Sequence, residues 1–277
     1  MFQYDALPKN QISHGYRPLM VMIHLVAALI YPFTETRFTK SFFGNDMLYY
    51  FFNFILWSIS ANLFNSCCTS PGFVQEDSGN PSDFFCKHCN IHIPIRAAHC
   101  KSCNRCVIRR DHHCPWTGQC IGRDNHFSFW LWLLSEIILM GFVIFDCFAS
   151  LLEPISFLNW FYRYFFNIVA LPFMCFDMFM VASLFIGHTV MALNNITTWE
   201  IARRNSISYL EIYPVTMNPF NKGKWNNFVE FARMKSRKIT WDSIEKPKLS
   251  DFTEENEMFQ LNLMNSLFRT YAKLGLN

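Results

Sequence analysis

The chain has 277 residues and a formal net charge of +3, and 51% of its residues are hydrophobic while only 16% are charged. An average soluble domain has about 25% charged residues, so this composition disfavours an ordinary soluble domain and indicates a search for membrane-spanning helices. The small positive charge requires no nucleic-acid partner, because an excess of Lys and Arg in cytosolic segments of a membrane protein accounts for it.

Four apolar stretches approach the length of about 20 residues that an α-helix needs to cross a bilayer. They cover residues 19–33, 47–66, 127–152 and 164–193. The first is short and needs flanking residues such as Tyr16 and Phe38, and it lacks the basic start and the cleavage site of a signal peptide. We therefore predict an all-α membrane protein with four transmembrane helices.

The basic residues predict the orientation of these helices, because Lys and Arg concentrate in cytosolic segments. Seven lie between the second and third stretches and twelve follow Leu193, whereas the two other loops hold only Arg37, Lys40 and Arg163. Both termini and the central loop are therefore predicted to face the cytosol. The predicted segments are 1–66 with two spans, 67–126 as a cytosolic domain, 127–193 with two spans, and 194–277 as a cytosolic tail.

The central loop is rich in metal-binding residues. Seven of the 11 Cys lie between Cys86 and Cys120, together with five histidines. A cytosolic segment is kept reduced, so Cys-x-x-Cys spacings indicate zinc ligands rather than disulfides. Structural zinc takes four Cys or His ligands, so two sites of three Cys and one His would use six of the seven cysteines.

Cys114 stands apart from these spacings, because it ends the string Asp111, His112, His113, Cys114. An imidazole that accepts the thiol proton makes cysteine a nucleophile near neutral pH, and a carboxylate can fix the tautomer of that imidazole. The string therefore indicates a nucleophile, a base and an orienting acid. The residues alone leave open the alternative that Cys114 and both histidines are further zinc ligands.

This segment resembles the DHHC protein acyltransferases (palmitoyltransferases), a family named after the tetrapeptide. The shared positions are Cys86, Cys89, Pro94, Arg96, His99, Cys100, Cys103, Cys106, Asp111 to Cys114, Trp116, Cys120, Ile121, Gly122, Asn125 and Phe129, and then Thr197, Thr198, Glu200, Asn218, Pro219, Phe220, Gly223 and Asn227. Three positions depart from the family pattern. They are Ile93, Gln119 and the sequence Thr-Ser-Pro-Gly at 69–72.

The resemblance implies a role for each matching residue. One structural zinc would be held by Cys86, Cys89, His99 and Cys106, and a second by Cys100, Cys103, His113 and Cys120. Cys114 would be the nucleophile, His112 the base and Asp111 its orienting partner, with Thr198 as a hydrogen-bond donor to Asp111. Trp116 would border the acyl chain and Arg96 would contact the phosphates of CoA, with Arg105, Arg109, Arg110 and Arg123 as possible helpers.

The implied reaction transfers a long-chain fatty acyl group, such as palmitoyl, from acyl-CoA to cysteine thiols of proteins through an acyl-enzyme on Cys114. Its partners would be acyl-CoA, the cytosolic-facing cysteines of membrane-associated proteins and the bilayer, with no nucleic acid. The expected location is an endomembrane, either the Golgi or the endoplasmic reticulum.

Three other functions are possible. A catalytically inactive membrane scaffold could use the same zinc domain to bind proteins, although it needs no unligated thiol beside a His and an Asp. A membrane ubiquitin ligase is disfavoured because the ligand spacing lacks the longer loop of that class. A transporter is disfavoured because Glu136, Asp146 and Asp177 are isolated carboxylates without a partner Lys or Arg at membrane depth. The tail from Asp251 onward is predicted to form an amphipathic helix that binds either membrane or protein.

Overall fold

The computed structural model describes residues 15–30, 44, 46–75, 84–211, 213 and 217–237. The chain forms two compact units. Of the described residues, the first unit contains residue 15 and those within 68–127 and 187–237, and the second contains those within 16–67 and 128–186. The predicted amphipathic helix after Asp251 lies outside the described residues.

Four long helices account for the predicted apolar stretches. They are α1 (Arg17–Ile30), α2 (Asp46–Cys67), α3 (His126–Leu151) and α4 (Phe157–Asn194). Among the described residues, three helical segments are long and apolar enough to cross a membrane, namely Met47–Cys67, His126–Leu151 and Phe157–Asn194. The described part of α1 has 14 residues, which is short of a span, and residues 31–43 lie outside the described part. The first of the four predicted spans therefore stays a prediction.

The helices of the second unit meet around the carboxylate of Glu136 in α3. Its Oε1 lies 2.9 Å from Nε2 of His24 in α1 and accepts a hydrogen bond of 2.8 Å from Nε1 of Trp132. Ser60 in α2 donates its hydroxyl to the same oxygen. A carboxylate inside apolar helices is costly unless it has such partners. This cluster therefore ties α1, α2 and α3 together by a polar contact that the apolar sequence pattern does not predict.

The cysteine-rich part of the first unit consists of three antiparallel hairpins, which the sequence analysis did not predict. They are β1 (Phe84–Cys86) with β2 (Ile91–Ile93), β3 (Ala98–Cys100) with β4 (Arg105–Val107), and β5 (His112–Cys114) with β6 (Gln119–Ile121). Each strand has three residues. Alternation of apolar and polar residues reveals a strand only over about 4–8 residues, which explains the omission.

The turns of the first two hairpins repeat one short sequence. Residues 86–90 read Cys-Lys-His-Cys-Asn and residues 100–104 read Cys-Lys-Ser-Cys-Asn. Asn90 and Asn104 both have positive φ angles, of 56° and 48°. Asn tolerates this left-handed conformation better than most residues because its short polar side chain can hydrogen-bond locally. The sequence therefore bends the chain just after each Cys-x-x-Cys pair.

After α4, the chain of the first unit continues in short helices. They are α5 (Thr198–Ala202), a 3₁₀ turn (Arg204–Ser206), α6 (Ser208–Glu211) and α7 (Lys224–Arg237). A capping box begins α5, in which Thr197 Oγ1 accepts from the backbone N–H of Glu200 at 3.1 Å and Glu200 Oε2 accepts from that of Thr197 at 2.9 Å. This cap fixes Thr198 as the first residue of α5, where its own backbone N–H has no partner within the helix.

A substitution at Gly122 tests the close packing around this residue in the first unit. A methyl group on Gly122 would lie 2.6 Å from Cγ1 of the buried Val107 and 2.7 Å from the carbonyl oxygen of Pro71. Gly122→Ala is therefore expected to destabilise the zinc-loaded protein by about 1–3 kcal/mol, because overpacking forces neighbouring groups to move. Thermal unfolding in detergent measures this as a lower Tm.

Gly141→Ala in α3 is the control. Its added methyl would lie 3.8 Å from Cε of Met178, which is an ordinary contact distance. Equal Tm values for the two variants would contradict the packing described at Gly122.

Candidate active site and metal centres

The first metal cluster consists of Cys86, Cys89, His99 and Cys106, whose ligand atoms all lie within 4.8 Å of one another. The Sγ atoms of Cys89 and Cys106 are 3.7 Å apart, and Nδ1 of His99 lies 3.3 Å and 3.9 Å from them. Tetrahedral zinc with bonds of about 2.3 Å to sulfur and 2.0–2.1 Å to nitrogen separates its ligand atoms by about 3.5–3.8 Å. The donor set and its spacing therefore fit zinc.

The second metal cluster consists of Cys100, Cys103, His113 and Cys120 and has the same geometry. The Sγ atoms of Cys103 and Cys120 are 3.7 Å apart. Nδ1 of His113 lies 3.6 Å from the sulfur of Cys100, 3.3 Å from that of Cys103 and 3.9 Å from that of Cys120. Two clusters that can hold zinc are therefore present among the described residues, with the composition that the sequence predicts.

The hairpins determine which residue joins which cluster. His99 pairs directly with Cys106 across β3 and β4, and His113 pairs with Cys120 across β5 and β6, so each pair lies on one face of its hairpin. Successive side chains of a strand point to opposite faces. Cys100, next to His99, therefore turns away from the first cluster and joins the second.

The same alternation separates Cys114 from the second metal cluster. His113 faces that cluster, so its neighbours on β5, His112 and Cys114, share the opposite face. Cys114 belongs to neither metal cluster and is only 2% exposed. Nδ1 of His112 lies 2.7 Å from Oδ2 of Asp111, and the His112 side chain also interacts with the thiol of Cys114. The structure thus brings together the three residues that the tetrapeptide predicts as a catalytic group.

The electrostatics of this group favour a charged pair. Burial opposes a charge on His112, but its hydrogen bonds to Asp111 and Cys114 outweigh burial and raise its pKa to about 10. Burial likewise opposes the Cys114 thiolate, but the hydrogen bond and charge of His112 lower the pKa of the thiol below its usual value. The Cys114 thiol therefore has a partner that stabilises its reactive thiolate form.

Asp111 is held from the other side by the start of α5. The backbone N–H of Thr198 donates to Oδ1 of Asp111 at 2.8 Å, and the Thr198 hydroxyl donates to Oδ2 at 2.9 Å. Asp111 is 1% exposed, and hydrogen-bond donors on both oxygens favour its charged form. Although burial raises it, the pKa of Asp111 lies well below its usual value, because the hydrogen bond and charge of His112 outweigh burial.

A sequence model of the family described as DHHC palmitoyltransferase matches residues 79–205, which include both metal clusters, the Asp111 to Cys114 string and Thr198. Residues 79–205 therefore resemble the DHHC palmitoyltransferases in sequence. The chain is also 34% identical over 178 residues to a protein of Dictyostelium discoideum that is named as a ZDHHC-type palmitoyltransferase. The match covers 63% of this chain but only 40% of that relative's length.

Arg96 has a different position in the DHHC domain from the one that the resemblance implies. It is 2% exposed, and it donates to Glu200 from Nε at 2.6 Å and from Nη2 at 2.8 Å. Asn195 accepts two further hydrogen bonds from Arg96, each of 2.9 Å. The predicted contact of Arg96 with the phosphates of CoA is therefore not supported, since its guanidinium is buried and holds the residues around α5 in place.

The other predicted basic residues differ in position. Arg109 is buried, Arg105 lies over the ring of Phe73 at 4.1 Å, Arg110 lies over the ring of Trp199 at 4.5 Å, and Arg123 pairs with Asp124 at 2.7 Å. Arg105, Arg110 and Arg123 are partly exposed. Trp116 is 39% exposed, so an apolar ligand can reach its ring. The roles of these residues toward acyl-CoA stay predictions.

Sequence reasoning missed Asn195, which sits at the centre of the buried polar contacts. Its amide donates to the Phe220 carbonyl at 3.1 Å and to Glu230 at 3.0 Å, while its Oδ1 accepts from Arg96. Its φ of 49° is a conformation that Asn adopts more readily than most residues. An Asn two residues before the Thr-Thr-x-Glu motif is the one sequence signal for this position, and it is a weak one.

The metal content tests the two clusters. The purified protein is expected to hold two zinc ions per chain, one for each Cys₃His cluster. Cys89→Ser is expected to lower this to about one and to lower the Tm, because binding of a structural metal contributes directly to folding. Elemental analysis with a colorimetric zinc-release assay measures the content. Cys68→Ser is the control and should keep two ions, since Cys68 lies outside both clusters; an unchanged content in Cys89→Ser would contradict the assignment.

The buried pair of Arg96 and Glu200 gives a second test. Their side chains are 0% and 2% exposed, so Glu200→Gln leaves a buried guanidinium without its counter-charge. We expect a loss of about 3–5 kcal/mol in the free energy of unfolding, seen as a large drop in Tm.

The matched control is Lys222→Ala, which removes the ion pair of a side chain that is 58% exposed. Such an exposed pair contributes at most about 1 kcal/mol. Losses of similar size in the two variants would show that the buried pair does not hold the domain together.

Proposed function

We propose that this protein is a protein S-acyltransferase that carries a long-chain fatty acyl group, such as palmitoyl, on Cys114. The observation that supports this most strongly is the position of Cys114. It lies outside both metal clusters and beside His112, whose other nitrogen is held by Asp111. A zinc scaffold has no use for an unligated thiol that is activated in this way.

In the first step, the Cys114 thiolate attacks the thioester carbonyl of acyl-CoA. The bond from the carbonyl carbon to the CoA sulfur breaks, and the leaving CoA thiolate takes the proton that His112 holds. The products are a thioester on Cys114 and free CoA. Covalent catalysis of this kind divides one transfer between two acceptors into two simpler steps.

In the second step, His112 accepts the proton of a cysteine thiol on the substrate protein. The resulting thiolate attacks the thioester carbonyl on Cys114, and the Cys114 thiolate leaves, paired again with protonated His112. The bond that forms and the bond that breaks are both thioesters, so neither direction needs an external energy source. The order of events predicts ping-pong kinetics.

Asp111 and Thr198 position the base. Because Nδ1 of His112 lies 2.7 Å from Asp111, that nitrogen carries the proton and Nε2 exchanges protons with Cys114. Thr198 fixes both oxygens of Asp111 in turn. This rigid arrangement keeps the reacting groups in place, which is a large part of enzymatic catalysis.

The metal clusters fit a structural role. Each offers four protein ligands, so zinc bound there would have no open position for water or substrate and would make the hairpins rigid. Cys86, Cys89, His99 and Cys106 would hold one ion, and Cys100, Cys103, His113 and Cys120 the other. Every proton and acyl transfer in the proposed reaction is carried by Cys114, His112 and their positioning partners.

The apolar helices support a location at a membrane. Three segments are long and apolar enough to span, and large apolar side chains such as Phe166, Phe173 and Phe176 of α4 are exposed. A bilayer would cover these side chains and hold the acyl chain of the donor. We propose acyl-CoA as donor, cytosolic-facing cysteines of membrane-associated proteins as acceptors, and the Golgi or endoplasmic reticulum as the location.

Acyl-enzyme formation tests this proposal. Purified, zinc-loaded protein in detergent is incubated with labelled palmitoyl-CoA and then treated with neutral hydroxylamine, which cleaves thioesters. We expect hydroxylamine-sensitive label on the wild type and at least a hundredfold less on Cys114→Ser, because a hydroxyl is a much weaker nucleophile than a thiolate at neutral pH. Cys175→Ser serves as the control and should label like the wild type, since Cys175 is exposed on α4 and outside both clusters.

Two results would contradict the proposal. Absence of label on a zinc-loaded wild type would favour the inactive scaffold. Full thioester label on Cys114→Ser would show that a different cysteine reacts with the donor.

A further inference from the structure

Three buried side chains form a hydrogen-bonded row beside the Asp111–His112 pair. Nη1 of Arg109, which is 1% exposed, lies 3.3 Å from Nδ1 of His126, the first residue of α3. Nε2 of His126 lies 2.9 Å from Nδ1 of His188 in α4. One ring nitrogen of His188 lies within 4.8 Å of a ring nitrogen of His112 and of an Asp111 oxygen. The row therefore reaches from a buried cation to the catalytic group.

The chemistry of Arg109 determines which atom donates and which accepts in each hydrogen bond of this row. A guanidinium has five N–H donors and no acceptor, so Nδ1 of His126 must accept the hydrogen bond. The proton of the neutral His126 ring then lies on Nε2, which donates to Nδ1 of His188. Because Nδ1 of His188 accepts, the proton of that ring also lies on Nε2. Both tautomers thus follow from one residue that can only donate.

We propose that Arg109, His126 and His188 are positioning residues that present the Nε2–H of His188 to the Asp111–His112 pair and so hold His112 in the orientation that serves Cys114. This inference rests on the proposed acyltransferase function and adds three residues to the group that controls its base. Their side chains are all buried. The rings of His126 and His188 meet edge-on with their centroids 5.1 Å apart, and the rings of His112 and His188 are tilted by 38° with their centroids 5.7 Å apart. A small rotation of the His188 ring would therefore shift the ring of His112.

Asp111, His112 and His188 also have the composition of a metal site. The direction of the row argues for the hydrogen-bonded arrangement instead. A metal needs the free lone pair of a ring nitrogen, yet Nδ1 of His188 accepts from His126 and Nε2 carries the proton. Asp111 in turn already accepts from Thr198 on both oxygens. This arrangement therefore predicts a zinc content of two ions per chain rather than three.

The test compares the rate of acyl-enzyme formation in single-turnover reactions over a range of palmitoyl-CoA concentrations. His188→Leu is expected to lower the limiting rate about 10- to 100-fold and to leave the half-saturating concentration unchanged, because misplaced catalytic groups slow chemistry rather than donor binding. His188→Gln can place an amide N–H near the position of the lost Nε2–H, so it is expected to recover most of the rate. A merely structural role for the ring would not give this recovery.

Phe231→Leu is the matched control for packing. Phe231 is buried and meets the ring of His126 edge-on at 5.0 Å, as a neighbour that can offer no N–H or oxygen to the row. Its limiting rate is expected to equal that of the wild type. Zinc content and Tm are measured for every variant, so that loss of the fold is recognised.

The outcomes separate the two proposals. If the zinc-loaded wild type forms no acyl-enzyme, the proposed function fails. If the wild type reacts and folded His188→Leu reacts equally fast, or if His188→Gln is as slow as His188→Leu, the positioning role is overturned while the proposed function stands.

A second measurement covers the case in which His188→Leu does not fold. Nitrogen-15 spectra of histidine-labelled wild type, with His188→Gln for the assignment, report which ring nitrogen carries each proton. The row requires the Nε2–H tautomer at both His126 and His188. A protonated Nδ1 on either ring would contradict it.

Discussion

Side chains on opposite faces of a three-residue strand control the chemistry of this domain. On β5, His113 faces a metal cluster, and the strand therefore turns His112 and Cys114 to the other face, toward Asp111. The hydrogen-bonded register of β5 with β6 sets His113 against Cys120 and thereby fixes which face is which. A slip of one residue would exchange the two faces, so a metal held by His113 and Cys120 would also hold the register that keeps Cys114 outside the cluster.

The middle hairpin links the two metal clusters in the same way. His99 and Cys100 are neighbours on β3 and serve different clusters, so neither cluster can be displaced without moving the other. A domain of such short strands has little apolar core of its own, and small domains of this kind usually need a metal or disulfides to fold. Metal bound in the clusters would therefore hold rigid the strand face that carries His112 and Cys114.

The buried ion pair of Arg96 and Glu200 helps to position the residue that holds Asp111. Arg96 binds Glu200, Glu200 caps α5, and the capped helix presents Thr198 to Asp111. The salt bridge holds the carboxylate of Glu200, this carboxylate caps α5, and the first residue of α5 donates to Asp111. This arrangement explains why the Thr-Thr-x-Glu motif lies far from the tetrapeptide in sequence but next to it in space. It also shows that the buried Arg96 has a structural position, whereas the resemblance to the DHHC family implies a contact with CoA.

The sequence by itself predicted apolar helices, a segment with enough Cys and His for two metal sites, and the tetrapeptide, because composition and ligand spacing are local properties. The division of the metal ligands into two sets came from the resemblance to the DHHC family, and the two clusters agree with it. The residues alone left open whether Cys114 was a further ligand, since spacing does not show which face of a short strand a residue occupies. Only the tertiary structure placed Cys114 away from the metal clusters, buried Arg96 against Glu200, brought Asn195 and His126 beside Arg109, and set His188 against His126. Those contacts join residues that are distant along the chain, and buried polar partners of this kind leave no periodic pattern in a sequence.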